Sequence, residues 1–240
     1  LSLQTLILSD NRIASFEANA LLLPNLKDLL MNRLSMDDFS FSMSDFSTSL
    51  ESLDLSGNRL GNFSFKSSKN LKILYMQRVS FFNQFTLINM TRLGITFPNL
   101  EIVDLSQNKI GTFNRTLSII ANLPKLKTLL LSSIDLYSID YIIELLNQQQ
   151  SLQSLKLVDL SFNKLELIRS VYAEFFQSVL YLYLNDNRIR HIEPDAFSRT
   201  TSLNIISLEN NLLRTFTFDL FNSKILKEIY FGNNRIETVL

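Results

Sequence analysis

The sequence predicts an α/β solenoid: a curved parallel sheet of about ten short strands on a concave face, backed by an irregular or short-helical convex side. Three observations predict it. One apolar template recurs ten times, at intervals of 21 to 29 residues. An asparagine holds the same place in seven of the ten copies. Apolar residues make up 46% of the 240-residue chain, enough for one unbroken core along a stack of repeats. Self-similarity at this period marks units that cannot bury their apolar face alone and must stack to do so.

The template is clearest in Leu182-Tyr-Leu-Asn-Asp-Asn-Arg-Ile-Arg-His-Ile-Glu-Pro-Asp-Ala-Phe197. Apolar residues stand at Leu182, Leu184, Ile189, Ile192 and Phe197, and the asparagine is Asn187. The spacing fits a short strand, a turn that swallows its asparagine, and a looser return arm. The copies begin at Leu3, Leu26, Leu50, Leu71, Leu100, Leu126, Leu155, Val179, Leu203 and Leu226. Alternation along each strand sends the leucines to one face and the residues between them to the other. The reading is of a single repeat domain over 1–240. The first and last copies lack polar caps, so the chain is expected to be an excerpt of a longer protein.

The asparagines are Asn11, Asn58, Asn108, Asn163, Asn187, Asn211 and Asn234. A buried turn leaves N–H and C=O groups in need of partners, and a side-chain amide supplies both kinds. Stacked asparagines are therefore expected to satisfy a row of turns. Leu34, Val79 and Ile134 interrupt the row. Their turns are expected to find other backbone partners or water.

The interrupted repeats also resemble one another: Leu26-Lys-Asp-Leu-Leu-Met, Leu71-Lys-Ile-Leu-Tyr-Met and Leu126-Lys-Thr-Leu-Leu-Leu. The first half thus has a period of two repeats. It sets Lys27, Glu51, Lys72, Glu101 and Lys127 at one strand position, a ladder of alternating charge that helps hold register. Two return arms are long. Ser138 to Asn147 has helical spacing and a serine at its start, which predicts a short helix. Phe81 to Pro98 has no period and is expected to be a loop.

Composition and motifs leave little room for chemistry. Lys plus Arg and Asp plus Glu number 23 each, so no broad basic field draws the chain to nucleic acid. There is one histidine, His191, and no cysteine, which rules out an ordinary His/Cys zinc site. His191 is expected at the surface. No phosphate-binding or nucleophile-elbow motif occurs, so neither enzyme activity nor a cofactor is expected. Asp54, Asp104 and Asp159 share one strand position, but intervening strands keep them about 10 Å apart. That is too far for a shared catalytic proton, and a structural role is expected. No run of apolar residues reaches the length of a membrane span, so membrane attachment would rest on segments outside this sequence.

Compartment has one weak clue. Asn62, Asn89 and Asn114 each begin an Asn-x-Ser/Thr acceptor for N-glycosylation, off the asparagine row. In a chain rich in Asn, Ser and Thr, chance alone supplies about as many. The missing cysteines suit a cytosolic protein or the middle of an extracellular one.

The residues quoted above resemble the extracellular type of leucine-rich repeat. The closest matches are Asn187-Arg-Ile-Arg-His-Ile-Glu-Pro-Asp-Ala-Phe197 and Asn58-Arg-Leu-Gly-Asn-Phe63. Toll-like receptor ectodomains and their adhesion relatives use this form, with a phenylalanine on the return arm. The resemblance implies a leucine-rich repeat solenoid and a receptor ectodomain that binds a ligand in signalling, innate immunity or adhesion. The alternative is a cytosolic or microbial leucine-rich repeat scaffold, which the 29-residue repeats and absent cysteines favour.

One surface stands out. Polar residues are the default between core leucines on the concave face. Repeats seven to ten instead offer Leu157, Tyr181, Tyr183, Ile205 and Tyr230, with Phe162 at the rim. A smaller set upstream is Ile73, Tyr75 and Ile102. Tyrosine pairs a broad apolar ring with a polar tip and is favoured in interfaces. This face is the expected site for a protein or other macromolecular ligand, or for a second copy of the chain.

Overall fold

The computed structural model describes residues 2–13, 16, 20–34, 48–60, 67–79, 97–108, 120, 123–147 and 153–239. Asn62, Asn89, Asn114 and most of the arm between Phe81 and Pro98 lie outside them. The chain forms two compact units, Leu1–Asn108 with Phe113–Leu126, and Lys109–Thr112 with Lys127–Leu240.

The first unit is built on five three-residue strands: β1 (Thr5–Ile7), β2 (Asp28–Leu30), β3 (Ser52–Asp54), β4 (Ile73–Tyr75) and β5 (Ile102–Asp104). They pair in parallel and in chain order, so Thr5, Asp28, Ser52, Ile73 and Ile102 form one row across the strands. Ile7, Leu30, Asp54, Tyr75 and Asp104 form the next. Between the two rows the middle residue of each strand turns inward. Leu29, Leu53, Leu74 and Val103 are fully buried, each worth about 1.5–3 kcal/mol relative to exposure.

The second unit repeats the plan with β6 (Thr128–Leu130), β7 (Leu157–Asp159), β9 (Tyr181–Tyr183), β11 (Ile205–Ser207) and β13 (Glu228–Tyr230). These too are parallel and in register. Both units are solenoids of stacked coils, with one of these main strands to a coil and five in each unit.

The return side of the second unit is more regular than the sequence suggests. Short parallel ladders join β8 (Leu167–Ile168) to β10 (His191–Ile192), and β12 (Thr215–Phe216) to β14 (Thr238–Val239). They form because the paired residues stand at the same offset, four and five positions past the asparagine, so the same extended residues meet in register. Beneath them runs a spine of rings: Phe176 to Phe197 at 5.5 Å between centroids, and Phe197 to Phe221 at 5.2 Å. The expected helix is present as α1 (Asp140–Asn147), two residues shorter at its start. Ser138 stays outside it, and its Oγ accepts the Asp140 N–H at 3.0 Å, satisfying one of the orphan donors of the first turn.

The asparagine row explains how the turns close. Asn187 Nδ2 donates to the carbonyls of Leu184 in its own coil (3.1 Å) and Leu160 in the preceding one (2.9 Å). Its Oδ1 accepts the Leu165 N–H at 3.0 Å, again in the preceding coil. Each interior asparagine therefore serves two turns. This corrects the expectation for Leu34, Val79 and Ile134. Their N–H groups turn neither to other backbone nor to water, but donate to Asn58, Asn108 and Asn163 of the following coil, at 2.9, 2.8 and 3.1 Å.

Asp54, Asp104 and Asp159 have a local task. Each carboxylate accepts the N–H of the serine two residues on, at 2.9, 2.8 and 2.9 Å. These are Asx-type turns that end the strand.

Candidate recognition surface

The two rows on the outer strand face of the second unit hold the residues of interest. Thr128, Leu157, Tyr181, Ile205 and Glu228 form the first row, and Leu130, Asp159, Tyr183, Ser207 and Tyr230 the second. Leu157, Tyr181 and Ile205 are consecutive neighbours in the register, and each is half-buried. Tyr183 is half-buried, and Tyr230 is 43% exposed. The buried Ser207 stands between those two tyrosines in the register. The second row is thus two aromatic positions flanking a small one. Ile73 and Ile102 are adjacent in the first row of the first unit, and Tyr75 lies between Asp54 and Asp104 in the second.

Phe162 is unusual for a reason the sequence does not display. In every coil the residue just before the asparagine position has a positive φ, from Asp10 at 60° to Asn233 at 54°. This left-handed conformation crowds Cβ and suits Gly, Asn and Asp. Asp10, Gly57, Asp186, Asn210 and Asn233 obey that preference; Arg33, Arg78, Gln107, Ser133 and Phe162 do not, and Phe162 (φ 54°) is the one among them with an aromatic ring. The ring is 56% exposed. It therefore carries a backbone cost and returns little burial.

The remaining site residues are structural or peripheral. Asn58, Asn108, Asn163, Asn187 and Asn211 are buried; Asn234 is half-buried and Asn11 exposed. Glu51 bridges Lys27 at 3.4 Å and Lys72 at 2.6 Å. The hydrogen bond from Lys72 and the charges of both lysines hold the Glu51 carboxyl below its usual range. His191 is exposed on β10 and lines a return-side cleft of about 360 Å³, together with Ile192, Leu213, Phe216 and Asp219. The cleft opens where the β8–β10 and β12–β14 ladders fail to join. Nothing in the sequence singled it out, because it arises from a missing pairing rather than from a residue pattern. Among the described residues no group of His, Cys, Asp and Glu could hold a metal ion, and no helix is long and apolar enough to cross a membrane.

Comparison with known families agrees with the coil geometry. Leucine rich repeat models match residues 153–213, which span coils seven to nine, and 46–62, which span the third strand and its turn. The fold is that of a leucine-rich repeat solenoid. A human relative, leucine-rich repeats and immunoglobulin-like domains protein 3, is 25% identical over 188 residues, 78% of this chain. The chain spans 14% of that relative's length. Among solved structures, internalin C2 from Listeria monocytogenes superposes with a TM-score of 0.54 at 18% identity, covering 78% of this chain and 73% of that one. The likeness to internalin C2 is one of fold.

Proposed function

We propose that this leucine-rich repeat chain is a recognition module that binds a protein partner on the strand face of its second unit. One observation carries the reading. Phe162 holds an exposed aromatic ring in a backbone conformation that disfavours it, beside a face where Tyr181, Tyr183 and Tyr230 replace the polar residues usual at such positions. Strain and exposure that folding does not require are best accounted for by binding. The repeat form around Asn187 to Phe197, together with the three glycosylation acceptors, supports placing the module in an ectodomain of the Toll-like or adhesion kind. The likeness in fold to a Listeria internalin supports a second setting, a microbial scaffold.

The test is selection of binders from a random displayed peptide library, followed by affinity measurement on variants. Replacing Tyr181, Tyr183 and Tyr230 by alanine should weaken selected peptides by roughly ten-fold or more, with the melting midpoint nearly unchanged. Selected peptides that bind the triple variant as well as the parent would move the site elsewhere, with the return-side cleft the first place to look.

A further inference from the structure

We propose that the strand face of coils seven to ten takes a basic protein segment, whose arginine or lysine side chains meet its carboxylates and aromatic rings. The inference rests on the recognition surface proposed above and assigns its partner a charge. Consider the six residues from the first strand position to the residue before the asparagine position, in each coil of the second unit. They contain no Lys, Arg or His, but they contain Asp159, Asp186, Glu209 and Glu228. None of these four carboxylates forms an ion pair among the described residues.

The bases of these coils stand outside that span. Lys156 and Lys227 precede the first strand position. Lys164 lies past the turn and is already paired with Asp135 at 3.0 Å. The equivalent span of the first unit also holds four carboxylates, Asp10, Asp28, Asp54 and Asp104, but sets two arginines among them: Arg33, which bridges Asp10 at 2.6 Å, and Arg78 two coils further on.

The carboxylates and rings share one local field. The Tyr230 hydroxyl donates to Glu228, and that bond, then the charge of Glu228, then burial and the nearby Glu209 and Tyr183, push the phenol above its usual range. Gly232 leaves room for Glu209, since a Cβ there would stand 2.9 Å from its Oε1. A neutral apolar partner would have to desolvate these carboxylates without compensation, which is costly. A guanidinium or ammonium group can pair with a carboxylate and lie over an aromatic ring at once. Charge complementarity of this kind selects partners and speeds their encounter.

The test uses the whole chain with a fluorescein-labelled peptide of alternating arginine and leucine, and its citrulline isostere as the neutral probe. The arginine peptide should bind roughly ten-fold tighter or more, with the difference shrinking as salt is added. Combined Asp186→Asn, Glu209→Gln and Glu228→Gln should abolish the preference. Asp28→Asn in the first unit should keep it. Equal binding of the two peptides, or a preference that survives the triple substitution, overturns the basic partner. Equal binding that Tyr183→Ala still weakens removes only the charge assignment and leaves the recognition surface standing. Binding indifferent to both Tyr183→Ala and the triple variant removes the surface as well.

Discussion

The two units use the same coil but distribute its polar groups differently. In the first, asparagines alternate with Leu34 and Val79, so the carbonyls of Met31, Leu55, Met76 and Leu105 each receive one side-chain amide among the described residues. In the second, four consecutive asparagines give the carbonyls of Leu160, Leu184 and Leu208 two amides each. Alternation is the sparsest arrangement that still leaves every turn an amide, because each asparagine reaches back one coil. The first unit therefore has no spare asparagine. The second does, and it also keeps an acidic, aromatic face free of bases, where the first sets Arg33 and Arg78 among its carboxylates and has a lone Tyr75. Redundant turns give a firmer frame to the unit that carries the exposed rings.

The largest expected effect tests that redundancy. Asn58→Leu leaves Met31 O, Leu55 O and Leu34 N–H without their amide, and should cost on the order of 3 kcal/mol or more. Asn187→Leu leaves Leu160 O served by Asn163 and Leu184 O by Asn211. It should cost about 1–2 kcal/mol, mainly for the Leu165 N–H. Adding Leu34→Asn to Asn58→Leu should recover part of the loss, because an amide at 34 can reach Met31 O. Chemical denaturation of the three variants beside the parent measures this, and equal costs for Asn58 and Asn187 would end the comparison.

The next effect concerns binding. Tyr183→Ala should weaken the peptides selected on this chain by about 1–2 kcal/mol, and Tyr75→Ala in the matching row of the first unit should leave them unchanged. Equal losses would place recognition on both units. Close behind comes Phe162→Asn, which relieves the left-handed strain and should raise stability by about 1 kcal/mol while weakening those same peptides. Arg33→Asn, at the equivalent position, forfeits its ion pair with Asp10 and should show a smaller gain or none.

A smaller effect is electrostatic. Lys27 and Lys72 depress the Glu51 carboxyl, so its contribution to stability is fully present above the ordinary carboxylate range. It is lost as pH falls through the lowered folded-state value. Glu51→Gln should therefore lower the denaturation midpoint near neutrality and converge with the parent in acid, and salt should narrow the gap. A gap that does not change with pH would remove the charge ladder as its cause. The last expectation costs little stability either way. All three N-glycosylation acceptors fall in the sequence of the first unit. Secretion from a eukaryotic host should add enzyme-removable mass to peptides around Asn62, Asn89 or Asn114 only. Secretion without that mass would take away the clue to an ectodomain.

Much of the fold was legible because its determinants are local and repeated. Period-two alternation of leucine marks a half-buried strand wherever it occurs, and ten copies of one spacing leave stacking as the way to bury it. The helix at Asp140–Asn147 was readable from its spacing and from Ser138. The aromatic rows were readable as well, since strand parity alone separates Tyr181 and Tyr183 from Leu182. The short ladders on the return side were not, because two-residue strands carry too little pattern to register.

By itself the sequence determined the coil, the strand parity, the asparagine positions and the charges that face outward. Each depends on residue type at a fixed offset within one repeat. Tertiary structure alone decided which neighbour each group meets. It assigned the Leu34, Val79 and Ile134 turns to the asparagine of the next coil, set Ser207 between Tyr183 and Tyr230, and opened a cleft where two ladders do not join. It also placed Phe162 in a left-handed turn. The physical reason is the same throughout: contacts between coils join residues more than twenty positions apart, and only the stacking register brings them within hydrogen-bonding reach.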